Sequence, residues 1–451
     1  MILIANKFVM NLNYKFKMTY LKTISLIFIL VIFIRCSNDD DPVVEYVTVT
    51  ETVTETETVE VDPYADSTLE GNITSDTTLD ASKIWLLKGR VSVESGSTLT
   101  IPAGTIIKAA SGTGADASTL IIARGGKIIA NGSLDAPIIM TSVSDNIDIG
   151  GTYPSSGPAL GVDTRGLWGG LLILGNAPCS FSGDVTELQI EGIPTSDING
   201  LYGGTNAADD SGSVEYLSIR HGGAEIGEGN EINGLTLGGV GSGTKINHVE
   251  VVANVDDGIE FFGGTVNATN LLVWGQGDDA IDIDQAYAGT IDGAMVILTD
   301  ASDHGFEIDG PEGSAAGSFT LKNVTVLGAT KACLALGVNG EMADFRKSAT
   351  GDLSNILFKD FSGGKDVELD ASADAASYTA GTLTFSNIDI MHTVNDGAVC
   401  SDVETLNQIF DDKSDESTFE ADASTFAEVV IEQQSGNGVD TSIFSWTFYA
   451  R

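Results

Sequence analysis

One short phrase is written three times between Asn254 and Asp309: Asp256-Asp257-Gly258-Ile259-Glu260-Phe261, Asp278-Asp279-Ala280-Ile281-Asp282-Ile283, and Asp303-His304-Gly305-Phe306-Glu307-Ile308. A fainter copy, Asn233-Gly234-Leu235-Thr236-Leu237, precedes them. The glycine or alanine positions 234, 258, 280 and 305 stand 24, 22 and 25 residues apart. Such a period marks stacked supersecondary units, because one unit cannot bury its apolar face alone. The 451 residues then make one continuous body rather than two or three average domains.

The local pattern predicts what is stacked. From near Ser67, apolar beats such as Leu86-Leu87, Val91, Val93, Leu99 and Ile101 are broken by Gly89, Gly96 and Gly104. Period two within short beats, with turns this close together, predicts a coil of short strands and no helix in this region. Gly166 to Gly175 reads as another strand pair, and Asp145 to Asp163 before it as a surface loop. Later beats begin near Val214, Ile246, Leu271, Ala294, Val324, Ile356 and Ile388. Gly243-Thr244, Gly264-Thr265, Gly289-Thr290, Gly317-Ser318 and Gly381-Thr382 are expected to form a second column at one corner of the coils. Gly at 53 and Pro at 9 suit many tight turns better than disorder.

Both ends depart from this rhythm. Lys15, Lys17 and Lys22 flank an apolar run from Ile24 to Ile34, too short for a comfortable membrane span and suited to a signal segment. Val43 to Val61 is a Thr, Val and Glu tract, predicted to be an extended stalk. Val403, Leu406, Ile409 and Phe410 have helical spacing, and residues 401–451 are predicted to cap the last coil, with Trp446 and Phe448 on its final rung. Cys179, Cys333 and Cys400 have no metal-type spacing and are expected as small buried hydrophobes.

Two resemblances follow. Cys36-Ser37-Asn38-Asp39-Asp40-Asp41 resembles the lipobox cysteine and acidic export signal of Bacteroidota surface lipoproteins, although Arg35 departs from the small residue that pattern prefers. The run Gly96 to Ile107, the segment Gly166-Leu167-Trp168-Gly169-Gly170 and the run Asn230 to Gly241 resemble a right-handed parallel β-helix lipoprotein family of Bacteroidota and other Gram-negatives. The likeness covers most of residues 68 to 400 and implies fold and location, with no established activity. The expectation is an all-β, single right-handed parallel β-helix solenoid with a C-terminal cap. Its divisions are a signal and lipoprotein segment (1–36) with lipid on Cys36, a stalk (37–66), the β-helix (67–400) and the cap (401–451). The location implied is the outer membrane, at the cell surface.

The repeat also carries chemistry. Acids outnumber bases 64 to 22, a formal charge of -42 that repels nucleic acid and anionic headgroups. Equivalent residues of successive coils stack about 4.8 Å apart. With Ile259, Ile281 and Phe306 inward, period two sends Thr236, Glu260, Asp282 and Glu307 outward. A turn column of Asn233, Asp257, Asp279 and His304 runs beside them, preceded by Asp256, Asp278 and Asp303. Stacked like charges require cations, raised pKa values or splaying into water. Oxygen donors at flexible spacing suit Ca²⁺, with Asp257, Glu260, Asp282, Asp303 and Glu307 as candidate ligands. The alternative is Asp-Gly turn chemistry with solvated acids.

Asn254 to Gly258, Gly277 to Ile281 and Asp303-His304-Gly305 are similar in order to the three catalytic motifs of polygalacturonase-type glycoside hydrolases, which are also β-helices. That resemblance implies Asp256, Asp278 and Asp279 as acid and base groups of an inverting hydrolysis, with His304 beside them. The family's Gly-His-Gly stands here as Asp-His-Gly, and only Lys331 lies near the position of its Arg-x-Lys. Elsewhere, His221 before Glu225, Glu228 and Glu231 offers metal donors or a surface turn, His248 and His392 read as structural, and Trp274 offers a sugar-stacking face or a core edge. The reading reached is a non-catalytic module that presents an acidic, Ca²⁺-binding face to a glycan or an outer-membrane partner. A polysaccharide-degrading enzyme and an adhesive spacer stand as the alternatives.

Overall fold

The computed structural model traces residues 16–31, 46–61, 394–395 and 398–399 as backbone, and describes residues 63–151, 160–225, 232–328, 340–361, 363–393, 404–431 and 436–450. The chain divides into two compact units, Met1–Asp66 and Ser67–Arg451. In the first, Phe16–Val31 pairs antiparallel with Tyr46–Val61, placing Ile24 opposite Val53. The apolar run is therefore extended, a conformation that its β-branched residues favour. Among the described residues no helix is long and apolar enough to cross a membrane. Cys36 lies outside them.

The second unit is a parallel β-helix. Each coil in its central part has a short strand and a long one: Leu235–Gly238 with Lys245–Val252, Ile259–Phe262 with Asn267–Trp274, Ile281–Asp284 with Thr290–Ile297. Every strand pairs in parallel with its equivalent one coil away, so Leu235, Ile259, Ile281 and Phe306 lie in one register. These side chains, together with Ile219, Val251, Val273 and Val296 of the long strands, fill one continuous core. Burying such a residue contributes about 1.5–3 kcal/mol, and the stack repeats that gain at every rung.

The long strands bend at one position per coil. Tyr216, His248, Asn270, Asn323, Asn355 and Asn387 all have positive φ, near 50° to 60°, and Gly293 takes the same place at 87°. Asn tolerates this left-handed conformation because its short amide bonds locally. Here the amides also link coils: Asn270 Nδ2 donates to Asn247 Oδ1 at 2.9 Å, and Asn355 Nδ2 donates to Asn323 Oδ1. At the first two positions a ring pair replaces the amides, His248 stacking on Tyr216 at 4.2 Å.

Turns absorb the insertions. Residues 175–211 leave the coil after Leu171–Leu174 and fold over the outside of the short-strand sheet. Phe181, Ile190, Ile193 and Tyr202 of this excursion pack on outward-facing Ile121, Leu172, Leu174 and Phe262, forming a second small core outside the solenoid. The expected column of glycine–hydroxyl pairs is not in one register. Thr290 lies opposite Thr320, two residues beyond Ser318, because turn lengths differ between coils.

At the C-terminus, strands Phe410–Asp412 and Ala427–Ile431 complete a last coil, and the helix Phe419–Phe426 covers its end. Phe419 packs edge-on to Tyr378 and Phe410 at 5.0 and 5.6 Å. Trp446 and Phe448 do not cap the final rung. Residues 436–450 run back along the flank, where Trp446 meets Tyr216 edge-on at 5.5 Å and Phe448 lies 6.1 Å from Trp274. Buried Glu250 holds them there, accepting the backbone N–H of Phe448 at 3.0 Å and of Tyr449 at 3.1 Å.

Candidate functional site on the acidic face

Register places Glu260 opposite Thr236 on one side and Asp282 on the other, and continues the column through Glu307, Asp344, Glu368 and Asp411. The acidity is therefore not confined to the three repeated phrases. Nor are all the outward acids solvated: Glu260 is 4% exposed and Asp282 is 8%. They point away from the solenoid core into a region covered from outside, beside the small core under the excursion.

The turn column is a hydrogen-bonded ladder. Asn233 Oδ1 accepts the backbone N–H of Asp257 at 3.2 Å, Asp257 Oδ1 that of Asp279 at 2.9 Å, and Asp279 Oδ1 that of His304 at 2.8 Å. Asn254 Nδ2 donates to the carbonyls of Ile232 and Asp257, tying the preceding turn into the ladder. Gly234, Gly258 and Gly305 are not in the left-handed region. They are small because a Cβ would collide with the core: at Gly258 it would stand 2.3 Å from Val273 Cγ1 and 2.7 Å from the Ala280 carbonyl. The Asp-Gly pairs thus reflect close packing between coils and not αL turns.

The five carboxylates expected to share cations separate into different groups. Asp257, Glu260 and Asp282 place one oxygen each within 4.8 Å of one another, all three buried. Asp303 joins Asp278 and Asp279 in a second such group, and Glu307 joins Asp279 and His304 in a third; Asp256 meets Asp257 and Asp278 in a fourth. The groups form a chain from exposed Asp303 to buried Asp282, linked through Asp278 and Asp257, with Asp279 joining the His304 group to it.

Burial, and then the neighbouring carboxylates, push the Asp257, Glu260 and Asp282 carboxyls well above the usual range. Burial also raises Asp278 to about 6, with Asp279 and Asp303 adding to the effect. Asp284 and Asp344 rise to about 7, burial again leading. At His304 burial acts downward, but the Asp279 hydrogen bond and charge outweigh it and raise the imidazole to about 9. His304 Nδ1 stands 2.8 Å from Asp279 Oδ1, so an imidazolium is held against a carboxylate.

Lys331 lies outside the described residues; among them, Arg346 and Lys347 bring basic groups to this face. In the strand Glu341–Arg346, one coil on, Glu341 lies opposite His304 and Arg346 opposite Asp309, with the long strand Phe319–Leu327 between them in the chain. Arg346 bonds Asp309 and Glu307, and Lys347 bonds Asp309. A sequence reader could have found them from the spacing Glu307-x-Asp309 against Asp344-x-Arg346, given the correct register.

A family model described as a pectate-lyase-like β-helix domain matches residues 71–449. The chain belongs to that family. No curated protein and no solved structure matches it. Within this pectate-lyase-like domain, two of the residues implied by the polygalacturonase likeness, Asp278 and Asp279, lie together with Asp303, and Asp256 lies with Asp257 and Asp278. Asp279 is committed to His304 through both a backbone and a ring nitrogen, and Asp257 to the next coil.

The remaining candidates of the domain are structural. His221 is buried, not on a surface turn, its Nδ1 lying 2.7 Å from the Thr164 carbonyl, while Glu228 and Glu231 fall outside the described residues. His392 is buried. Trp274 is half-buried and packs against Phe448 and Tyr449, the latter edge-on at 5.1 Å. Cys179 is half-buried and not the fully buried hydrophobe expected; its Sγ donates to the Phe262 carbonyl at 3.3 Å, and burial pushes the thiol up to about 12. Cys333 and Cys400 lie outside the described residues.

Proposed function

We propose that this β-helix domain is a non-catalytic polysaccharide-binding module, held at the outer membrane by lipid on Cys36 and displayed at the cell surface. The observation that carries the reading is the chain of carboxylates Asp256, Asp278 and Asp303, one per coil, at the edge of the acidic face. Carboxylate oxygens at the spacing of the coils suit Ca²⁺, which keeps free positions for ligand oxygens when only part of its shell is protein. A cation there would bridge the acidic face to hydroxyl or carboxylate groups of a glycan lying along the solenoid. An outer-membrane partner protein with basic side chains fits the same face.

One observation favours a second reading, polysaccharide cleavage. Asp278, raised to about 6, could supply a proton near neutrality beside the Asp279–His304 pair. A reducing-sugar assay on anionic and neutral glycans, run with Asp279→Asn and alongside affinity electrophoresis with and without Ca²⁺, separates the two. The binding reading expects retarded migration in Ca²⁺ and no release of reducing ends. Release by the parent protein that Asp279→Asn abolishes would replace it with the enzymatic reading. Metabolic labelling with palmitate, lost in Cys36→Ala, tests the anchor.

A further inference from the structure

The buried trio is a different kind of place from the exposed edge. Asp257, Glu260 and Asp282 come from two successive coils, and each is at least nine-tenths removed from solvent. Their oxygens lie within 4.8 Å of one another. Among the described residues no Lys, Arg or His side chain pairs with any of them; Arg346 and Lys347 are spent on Glu307 and Asp309, and His304 on Asp279.

Hydrogen bonds satisfy only part of the trio. Asp257 Oδ1 accepts the Asp279 N–H, and Glu260 Oε2 accepts from Asn233 Nδ2. Asp282 Oδ1, within the buried cluster, has no hydrogen-bond partner at all. A buried carboxylate oxygen without a donor costs about 1–3 kcal/mol or more. Three carboxylates without a counter-charge cannot all ionise at this distance.

We propose that Asp257, Glu260 and Asp282 form a buried structural site for one hard divalent cation, Ca²⁺ in preference to Mg²⁺. The donor set is oxygen only, it carries the charge such a cation neutralises, and its geometry is set by two coils and not by a rigid octahedron. Asn233 orients one ligand: its amide donates to Glu260 and reaches Glu191 Oε1 of the excursion at 3.5 Å. A cation there would lock the excursion and two coils together. The site does not depend on the glycan reading, since its oxygens lie beneath the surface.

The test is equilibrium dialysis with radioactive Ca²⁺ and thermal unfolding in chelator or Ca²⁺. It uses the whole protein, Asp282→Asn and Glu260→Gln at the buried site, and Asp278→Asn at the exposed edge. We expect the parent and Asp278→Asn to retain one tightly held Ca²⁺ per chain, with affinity at least tenfold lower in both buried-site variants. Ca²⁺ should raise the melting temperature of the parent and Asp278→Asn, and leave the buried-site variants unmoved. If a buried-site variant fails to fold, the parent decides alone: its melting temperature must fall in chelator and recover with Ca²⁺ but not with Mg²⁺. Absence of bound Ca²⁺ in the parent, or binding undiminished in folded Asp282→Asn and Glu260→Gln, would overturn the site and leave protons as what holds the trio together. Loss of glycan retention in Asp278→Asn, with tight Ca²⁺ kept, would bear on the surface reading alone.

Discussion

Asp279 Oδ1 accepts from His304 twice, from the backbone N–H at 2.8 Å and from Nδ1 at 2.8 Å, across one coil step. The carboxylate is at once a rung of the turn ladder and the counter-charge of an imidazolium. Because His304 titrates at about 9 in the fold against 6.5 in an open chain, its contribution is fully present below about pH 6.5 and is lost as pH rises through about 9. Asp279→Asn keeps an oxygen for the backbone bond and removes the charge. We expect urea midpoints to show a cost of about 1–3 kcal/mol at pH 6 that shrinks toward zero by pH 10. A cost independent of pH would mean that only the backbone bond matters.

The raised carboxyls act in the same direction at lower pH in metal-free protein. Asp284 and Asp344, at about 7, keep their protons in the fold over a range where the unfolded chain has released them. The folded state binds more protons from about pH 4 to 7, so stability falls as pH rises through that window. Melting temperatures in chelator should be higher at pH 5 than at pH 7.5. Added Ca²⁺ should help more at pH 7.5, where carboxylates need not first give up protons.

Gly258→Ala places a methyl against Val273 and the Ala280 carbonyl. Crowding of this kind in a packed core costs about 1–3 kcal/mol. Ala280→Gly, in the neighbouring coil, should cost no more than about 1 kcal/mol, the usual penalty of backbone freedom. Chemical denaturation of the two variants side by side checks the asymmetry, which αL turn chemistry would not produce.

Phe448→Ala should remove the cover over Trp274 and Arg220, above which the Phe448 ring stands at 4.6 Å. A loss of about 3 kcal/mol is expected for a buried aromatic, together with a red shift of tryptophan emission. An unchanged emission spectrum would mean that the tail does not seal this flank in solution.

The fold was legible because a solenoid is nearly one-dimensional. Ile259 and Phe261 recur as Ile281 and Ile283, and that recurrence alone specifies a register and an inward face. The excursion was not legible, since nothing in residues 175–211 says which face of the coil they cover. Glu260 and Asp282 therefore read as surface acids although they are buried. Arg346 was not legible because the stretch between His304 and its register partner Glu341 is longer than the repeat of the preceding coils. The tail aromatics share composition with a cap, and only the N–H bonds to Glu250 reveal that they return to the middle of the molecule.

The bend column of left-handed residues carries a consequence for how such a chain can change length. Every long strand turns at the same register position, and each amide there answers to its neighbour and not to the distant ends. A whole coil could therefore be gained or lost by recombination between similar repeats without disturbing the bend. Each such event would move the acidic clusters relative to the terminal helix by one rung, about 4.8 Å. The distance between the charged patch and the end of the rod is thus a quantity that can be adjusted in fixed steps.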